Sequence, residues 1–387
     1  MPFSEARIDL TFRLAGDAVV AVRVDSSRQT QAARSLAGRR PDQVVAMLPT
    51  VFPLCGTAQA LAGMAAIERA SGIVVDPAHV LARRMLLLGE TLCEHGMGLA
   101  RDWPALLGEG PDLGSARNLR AAAARLKLLL YPSAYWNRPG GGALEPDRAG
   151  LGSAVAAIGG EIAHLLAADP EEPAASPAAL SDWAQGGASA AARLFARIFD
   201  DGLADFGATD FLPMPSNGPP DLAERLESDA DGGYVARPAC RGRVFETGAL
   251  ARHAGHPLVA PLLAAHGNGL AARLAARLAE VTESLRDLSA LMQNLSDAPS
   301  APTPGVARGC GLGLVEAARG TLVHRVELED GVVAKYQILA PTEWNFHPAG
   351  AMARGMIGVP AGPKLLDRAW MLVNALDPCV VCTLMAE

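Results

Sequence analysis

With 387 residues, half of them apolar, the chain can bury a large core. Its net charge of −7, with scarce Lys and scattered Arg, argues against a nucleic-acid or anionic-membrane face, which needs clustered cations to neutralise phosphate. The six cysteines lie far apart except for Cys379 and Cys382, unlike a disulfide framework. "MPFSEARIDL" has no basic stretch leading into an apolar run, and no segment reads as a bilayer span. A protein of the reducing cytoplasm is expected, without membrane insertion.

"RIDLTFRLAGDAVVAVRVDSS" alternates apolar and polar residues about Gly16-Asp17 and predicts two strands joined by a tight turn. Helical spacing takes over from Arg40, interrupted by Pro49 and Pro53, so Cys55 falls at a break before a helix expected to begin near Gln59. Ala- and Leu-rich helices are predicted over 78–99, 115–130, 151–168, 180–200 and 256–296, the last with one core-facing stripe. The Pro/Gly-rich pieces "NRPGGGALEPDRAG", "ADPEEPAASPAA" and "PMPSNGPPD" read as loops. "SDAPSAPTPGVARG" is the clearest boundary, and "TLVHRVELEDGVVAKYQIL" beyond it is a second hairpin, turning at Asp330-Gly331. The expectation is an α+β chain, predominantly helical, with small N- and C-terminal hairpins around a long-helix core. It reads as one domain over 1–387: hairpin and Cys55 region (1–100), helical body (101–298), and hairpin with cysteine tail (309–387).

Chemistry concentrates in "DPCVVC". Two cysteines three apart can direct both thiolates at one metal or at two adjacent metals. A redox pair shares the spacing but uses a following helix, and the few residues after Cys382 are too short for one. A structural zinc site needs two further ligands, and no second Cys-x-x-Cys or His-x-x-x-His supplies them. Spacing alone leaves metal binding and two buried small residues as open alternatives. Cys55 also reads as an ordinary cysteine before a helix, Cys93 as a helical core residue, and Cys240 and Cys310 as loop residues. The histidines at 95, 253, 256 and 266 show no ligand spacing. "GCGLGLVEAARG" lacks both the Lys-Ser/Thr of a P-loop and the spacing of a dinucleotide fingerprint, and no Gly-x-Ser-x-Gly elbow occurs.

Three separated segments together resemble the large subunit of nickel–iron hydrogenases. "DPCVVC" resembles its Asp-Pro-Cys-x-x-Cys ending. "GLGLVEAARGTLVHRVELEDGVVAKYQILAPTEWN" is similar to its Glu-Ala-Pro-Arg-Gly block, hairpin and Pro-Thr-x-Trp-Asn block. "PTVFPLCGTAQALAGMAAIE" resembles its Arg-x-Cys-Gly-x-Cys helix start, and "RIDLTFRL" its Arg-Ile-Glu-Gly-His-Leu-Arg motif. The resemblance implies that family's fold and a pocket where four cysteines hold nickel, two of them bridging to an iron that carries cyanide and carbon monoxide. Cys55 and Cys379 match the terminal nickel ligands and Cys382 one bridging ligand, whereas the other bridging position is Ala58. Asp9, Leu10 and Thr11 stand in place of Glu-Gly-His, Ala62 in place of a following His, and Ala318 in place of a proline. Met385 replaces the His that marks processing after nickel insertion and helps hold magnesium, with no removable tail expected beyond it. On the iron side, Arg319 and Thr342 match the residues that face the cyanides, where strong donors suit a strong acceptor in a water-poor cavity. Glu316 is expected to pair with a nearby cation.

Loss of nickel-side features with retention of iron-side ones resembles the HupK/HoxV family of hydrogenase maturation proteins. That likeness implies a non-catalytic scaffold that holds or transfers the Fe(CN)2(CO) unit, with Cys382 and Cys379, helped by Cys55, carrying the iron transiently and no nickel. The implied partners are a HypC-type chaperone, a HypD-type iron-loading protein and the target large subunit. Two competing readings are a divergent hydrogen-splitting or hydrogen-sensing large subunit, and a purely structural relative such as the quinone-site subunit of respiratory complex I.

Overall fold

The computed structural model describes residues 6–28, 32–295 and 301–387. The start of "MPFSEARIDL" and the first part of the "SDAPSAPTPGVARG" boundary lie outside the described residues. The first hairpin forms as its alternation requires: β1 (Arg7–Ala15) pairs antiparallel with β2 (Ala18–Ser26), turning at Gly16, whose φ of 60° suits a residue without Cβ. Two two-residue strands, β3 (Ile73–Val74) and β4 (Thr303–Pro304), pair further along. The C-terminal sheet is a meander of β5 (Cys310–Ala317), β6 (Gly320–Glu329) and β7 (Val332–Leu339). Asp330 and Gly331 both have positive φ at its predicted turn.

The last strand, β8 (Val381–Ala386), lies parallel to β1, which makes the sheet order β2-β1-β8. Cys382 pairs with Ile8 and Met385 with Thr11, and the terminal backbone is tied on as Leu14 N–H donates to Glu387 O and Glu387 N–H to Phe12 O. Strand pairing is therefore what orders the cysteine tail, a position where chains usually fray. Two motifs some 370 residues apart in sequence become neighbours along one ladder.

The helices that position the site are α1 (Pro41–Val51), α2 (Gly56–Ser71), α3 (Pro77–Met97), α4 (Leu113–Leu130), α5 (Arg148–Leu166), α6 (Leu270–Asn294) and α7 (Leu365–Leu376). Several differ from expectation. The first runs through Pro49 to Val51, and α2 starts at Gly56, not near Gln59. The predicted 180–200 helix breaks at Gly187, in the left-handed region, and restarts behind the Ser189 cap; "ADPEEPAASPAA" also contains helical turns. The 256–296 helix breaks at Gly267-Asn268-Gly269, and its long half is buried on all sides over its first three turns. That half carries Arg273, Arg277 and Glu280 into the core, which it tolerates because they are paired: Arg273 with Glu246 at 2.8 Å and Glu280 with Arg252 at 2.6 Å.

The segment "GCGLGL", where Cys310 is expected in a loop, enters the strand β5. A Cβ at Gly311 would lie 2.0 Å from Ala66 O, and one at Gly313 2.0 Å from Ala62 O, so the glycines let the strand lie directly against the backbone of α2. The bilayer expectation also changes, since α5 is long and apolar enough to cross a membrane by length and composition. In the structure it packs on α4 and α6 through Leu151, Ile158 and Ile162.

Candidate metal centre

The site lies where three elements begin or end. Cys55 occupies the N-cap position of α2 without capping it by its own side chain. Glu90 on α3 takes that role, accepting from Thr57 N–H (2.7 Å) and Ala58 N–H (2.9 Å) at the positive end of the helix dipole. Burial holds the Glu90 carboxyl above its ordinary value, and the two N–H donors offset only part of that rise. At the other side, α7 ends at Asp377, whose φ of 48° turns the chain out of the helix, and Pro378 prevents its continuation. Cys379 follows at once. Thr342 comes from the short helix Pro341–Asn345 after β7, and Arg319 from the β5–β6 turn.

These pieces meet around a narrow cavity of about 20 Å³, lined by Cys55, Gln59, Glu94, Arg319, Thr342 and Cys379 among others. Thr342 Oγ1 lies 3.2 Å from Cys379 Sγ. Arg319 is not a surface residue after a turn: it donates to Glu94 at 2.7 Å and approaches Asp377 at 3.7 Å. Burial would lower its pKa, but Asp377 and Glu94 outweigh that and hold it above its ordinary value. Asp377, itself penalised by burial, is held below the usual carboxylate range by Arg319 and Arg277. Of the five residues singled out from sequence, four therefore share one cavity. Cys382 does not line it; its thiol is buried in β8, against β1. The thiols still sense one another. Burial, then the neighbouring Cys379, pushes both Cys55 and Cys382 up to about 12. Glu316, expected to pair with a cation, meets Arg252 at 2.9 Å.

Several residues of the centre escaped sequence reasoning. Arg28, after β2, places Nη1 2.6 Å from Cys379 Sγ and Nε 2.6 Å from Glu343. Burial opposes its charge, but Glu343 and Cys379 hold it above its ordinary value. A lone Arg after a strand carries no sequence signal. Gln59 stands four residues from Cys55 on α2, a spacing that puts both on one face. Its Nε2–H donates to Cys55 Sγ (3.5 Å), so its Oε1 accepts from His324 Nε2–H (2.8 Å), which leaves His324 Nδ1 to accept from the Tyr336 hydroxyl (2.8 Å). The chain from Tyr336 to the sulfur is buried, with every link satisfied. Burial pushes His324 down to about 3, so the ring is neutral.

A soft metal with small anionic ligands fits this donor set. Thiol sulfurs suit iron, and the buried Arg319, which lines the same cavity, keeps an Nε–H that makes no hydrogen bond, its nearest carboxylate oxygen being that of Asp377 at 3.7 Å. No group of three or more His, Cys, Asp or Glu side chains is arranged to hold a metal ion among the described residues. The site is thus thiol-poor relative to a closed four-ligand centre, and Ala58 is fully buried where a fourth sulfur would be needed by the resemblance.

Residues 246–384 match the family model of nickel-dependent hydrogenases. A nickel–iron–selenium hydrogenase from D. vulgaris Hildenborough superposes with a TM-score of 0.68 at 15% identity, over 95% of this chain and 94% of that one. One from Desulfomicrobium baculatum gives 0.66, also at 15%, over 95% of each. The fold is thus that of a nickel–iron hydrogenase large subunit. Among curated proteins, the chain is 33% identical to the hydrogenase expression/formation protein HupK of Rhizobium leguminosarum bv. viciae, over 96% of this chain and 94% of that protein. It is 33% identical to HoxV of Cupriavidus necator, another expression/formation protein, over 93% and 91%. Likeness to the hydrogenase-2 large chain of Escherichia coli, at 31%, is confined to 22% of this chain. The full-length match to proteins of hydrogenase formation, on a large-subunit fold whose cysteine set is incomplete, means that the chain belongs to the HupK/HoxV family of hydrogenase expression/formation proteins.

Proposed function

We propose that the protein is a non-catalytic scaffold that receives the Fe(CN)2(CO) unit and hands it to a hydrogenase large subunit during cofactor assembly. The observation that carries the reading is one cavity lined by two thiols, Cys55 and Cys379, together with Arg319 and Thr342, while position 58 offers only a methyl group. Cys55 and Cys379 line the cavity, and Cys382 is the third thiol of the set in this scheme. Each thiol that binds iron gives up its proton, so loading releases protons from Cys55 and Cys382, which burial keeps protonated at neutral pH. The Arg319 guanidinium and the Thr342 hydroxyl donate to the cyanide nitrogens. The hydrogen bond from Gln59, held by His324, fixes the Cys55 sulfur. A set of at most three thiols holds the cargo more weakly than the four-cysteine centre it serves, which favours transfer. The closed cavity has room for about one water molecule. Loading therefore requires it to open.

Nickel has no role in this scheme. The partners are a HypC-type chaperone, a HypD-type iron-loading protein and the target large subunit, in the reducing cytoplasm that six free cysteines suit. The test is anaerobic purification after co-expression with the maturation machinery, followed by infrared spectroscopy. Cyanide and carbonyl bands are expected in the wild type, lost in Cys379→Ala and shifted in Cys382→Ala. Stoichiometric nickel with hydrogen–deuterium exchange activity would overturn the scaffold in favour of a divergent enzyme. No bands despite the machinery would instead favour a purely structural relative.

A further inference from the structure

A surface groove of about 580 Å³ runs between α7 and the segment 102–108, away from the metal centre. Its apolar wall is made by Leu106, Leu107 and Trp370. Trp370 is 37% exposed, although α7 has a fully buried face available through Ala369 and Leu372. Leu366, exposed to the same extent, Trp370 and Asn374 stand four residues apart, a ridge of roughly 12 Å along two turns. Tryptophan is among the side chains enriched at the energetic centres of protein contacts. The charges around it are unbalanced. Arg197 is taken by Leu106 O (2.7 Å) and by Asp201 (3.6 Å), and Asp102 is held by Arg101 at 2.7 Å. The Asp367 carboxylate makes no ion pair among the described residues. No strand edge borders the groove, so an occupant offers side chains, not a paired backbone.

We propose that this groove docks an amphipathic helix of a partner protein, one that sets Leu-type side chains on Trp370 and a Lys or Arg against Asp367. A second copy of this chain fits less well, since each carries a net charge of −7. Because α7 ends at Asp377 and leads straight into Cys379, the partner grips the helix from which the cysteine tail hangs. The proposal stands apart from the iron reading: it concerns a different face and needs no cargo.

The test uses the full chain and two labelled synthetic helices with the same leucine positions, one bearing Lys and one Glu at the polar positions, read by fluorescence anisotropy in 150 mM salt. The Leu/Lys helix is expected to bind at least tenfold tighter than the Leu/Glu helix. Trp370→Ala and Asp367→Lys are each expected to weaken it at least tenfold, with the circular dichroism spectrum unchanged. Asp25→Lys, on strand β2 and outside the lining of the groove, is expected to leave binding within twofold. Equal binding by the wild type and Asp367→Lys, or by the two helices, overturns the proposal. So does sedimentation that shows a wild-type dimer lost in Trp370→Ala, which would make the occupant a second copy.

Discussion

Lowering the pH from 7.5 to 5.0 tests the buried chain behind Cys55. His324 is fully buried, and burial moves its ring from 6.5 to about 3. In the unfolded chain the ring takes up a proton as pH falls through 6.5, while the folded ring refuses it down to about 3. The unfolded state therefore binds more protons, and stability rises with pH across this window. The contribution is complete above 6.5 and is lost progressively as pH falls from 6.5 towards 3. Between pH 7.5 and 5.0 the linkage integral for one such ring is about 2 kcal/mol, from 1.36 kcal/mol per pH unit over about one and a half units. The assay is urea unfolding of the wild type and of His324→Gln at both pH values. The variant is expected to start less stable, because it loses packing and the Tyr336 bond. It is also expected to lose about 2 kcal/mol less on acidification. If both proteins lose the same amount within about 0.5 kcal/mol, the ring is protonated in the fold and the hydrogen-bond order assigned from Tyr336 to Cys55 is wrong.

Gly313→Ala should destabilise by about 3 kcal/mol, measured by urea midpoint, because the new Cβ meets Ala62 O at 2.0 Å and Ala66 N at 2.7 Å, backbone atoms that cannot rotate away. Glu246→Gln leaves Arg273, 1% exposed, charged without its partner, and should cost about 3–5 kcal/mol by the same measurement. Arg28→Ala should slow iodoacetamide alkylation of Cys379 several-fold, followed by mass spectrometry, since the guanidinium 2.6 Å from the sulfur is lost. Ala58→Cys should lengthen the lifetime of the cyanide and carbonyl bands, turning a carrier into a trap, read by infrared decay after mixing with an apo large subunit.

Local pattern was enough for much of this protein. Period-two alternation with Gly16 and Asp330-Gly331 at the turns defined both hairpins, and three- to four-residue spacing defined the long helices, because those signals act within a few residues. Quoted motifs also located Cys55, Arg319, Thr342 and Cys379, which the structure gathers at one cavity. The helix ends were less legible. Whether Pro49 stops α1, or whether a glycine breaks 180–200 and 256–296, depends on what each segment packs against. Cys310 among the glycines of "GCGLGL" reads as a loop residue, because nothing local reveals that a helix backbone lies across the strand.

Only the tertiary structure decided how the site is wired. The pairing of β8 with β1 orders the cysteine tail and buries Cys382 behind the cavity, and it joins segments with no local relation in sequence. Arg28 reaches Cys379, Glu90 caps α2, and His324 holds Gln59 on Cys55 for the same reason. A thiol or a carboxylate is chosen by its type, which sequence displays, but its charge and reach are set by burial and by partners hundreds of residues away. Those are properties of the packed chain.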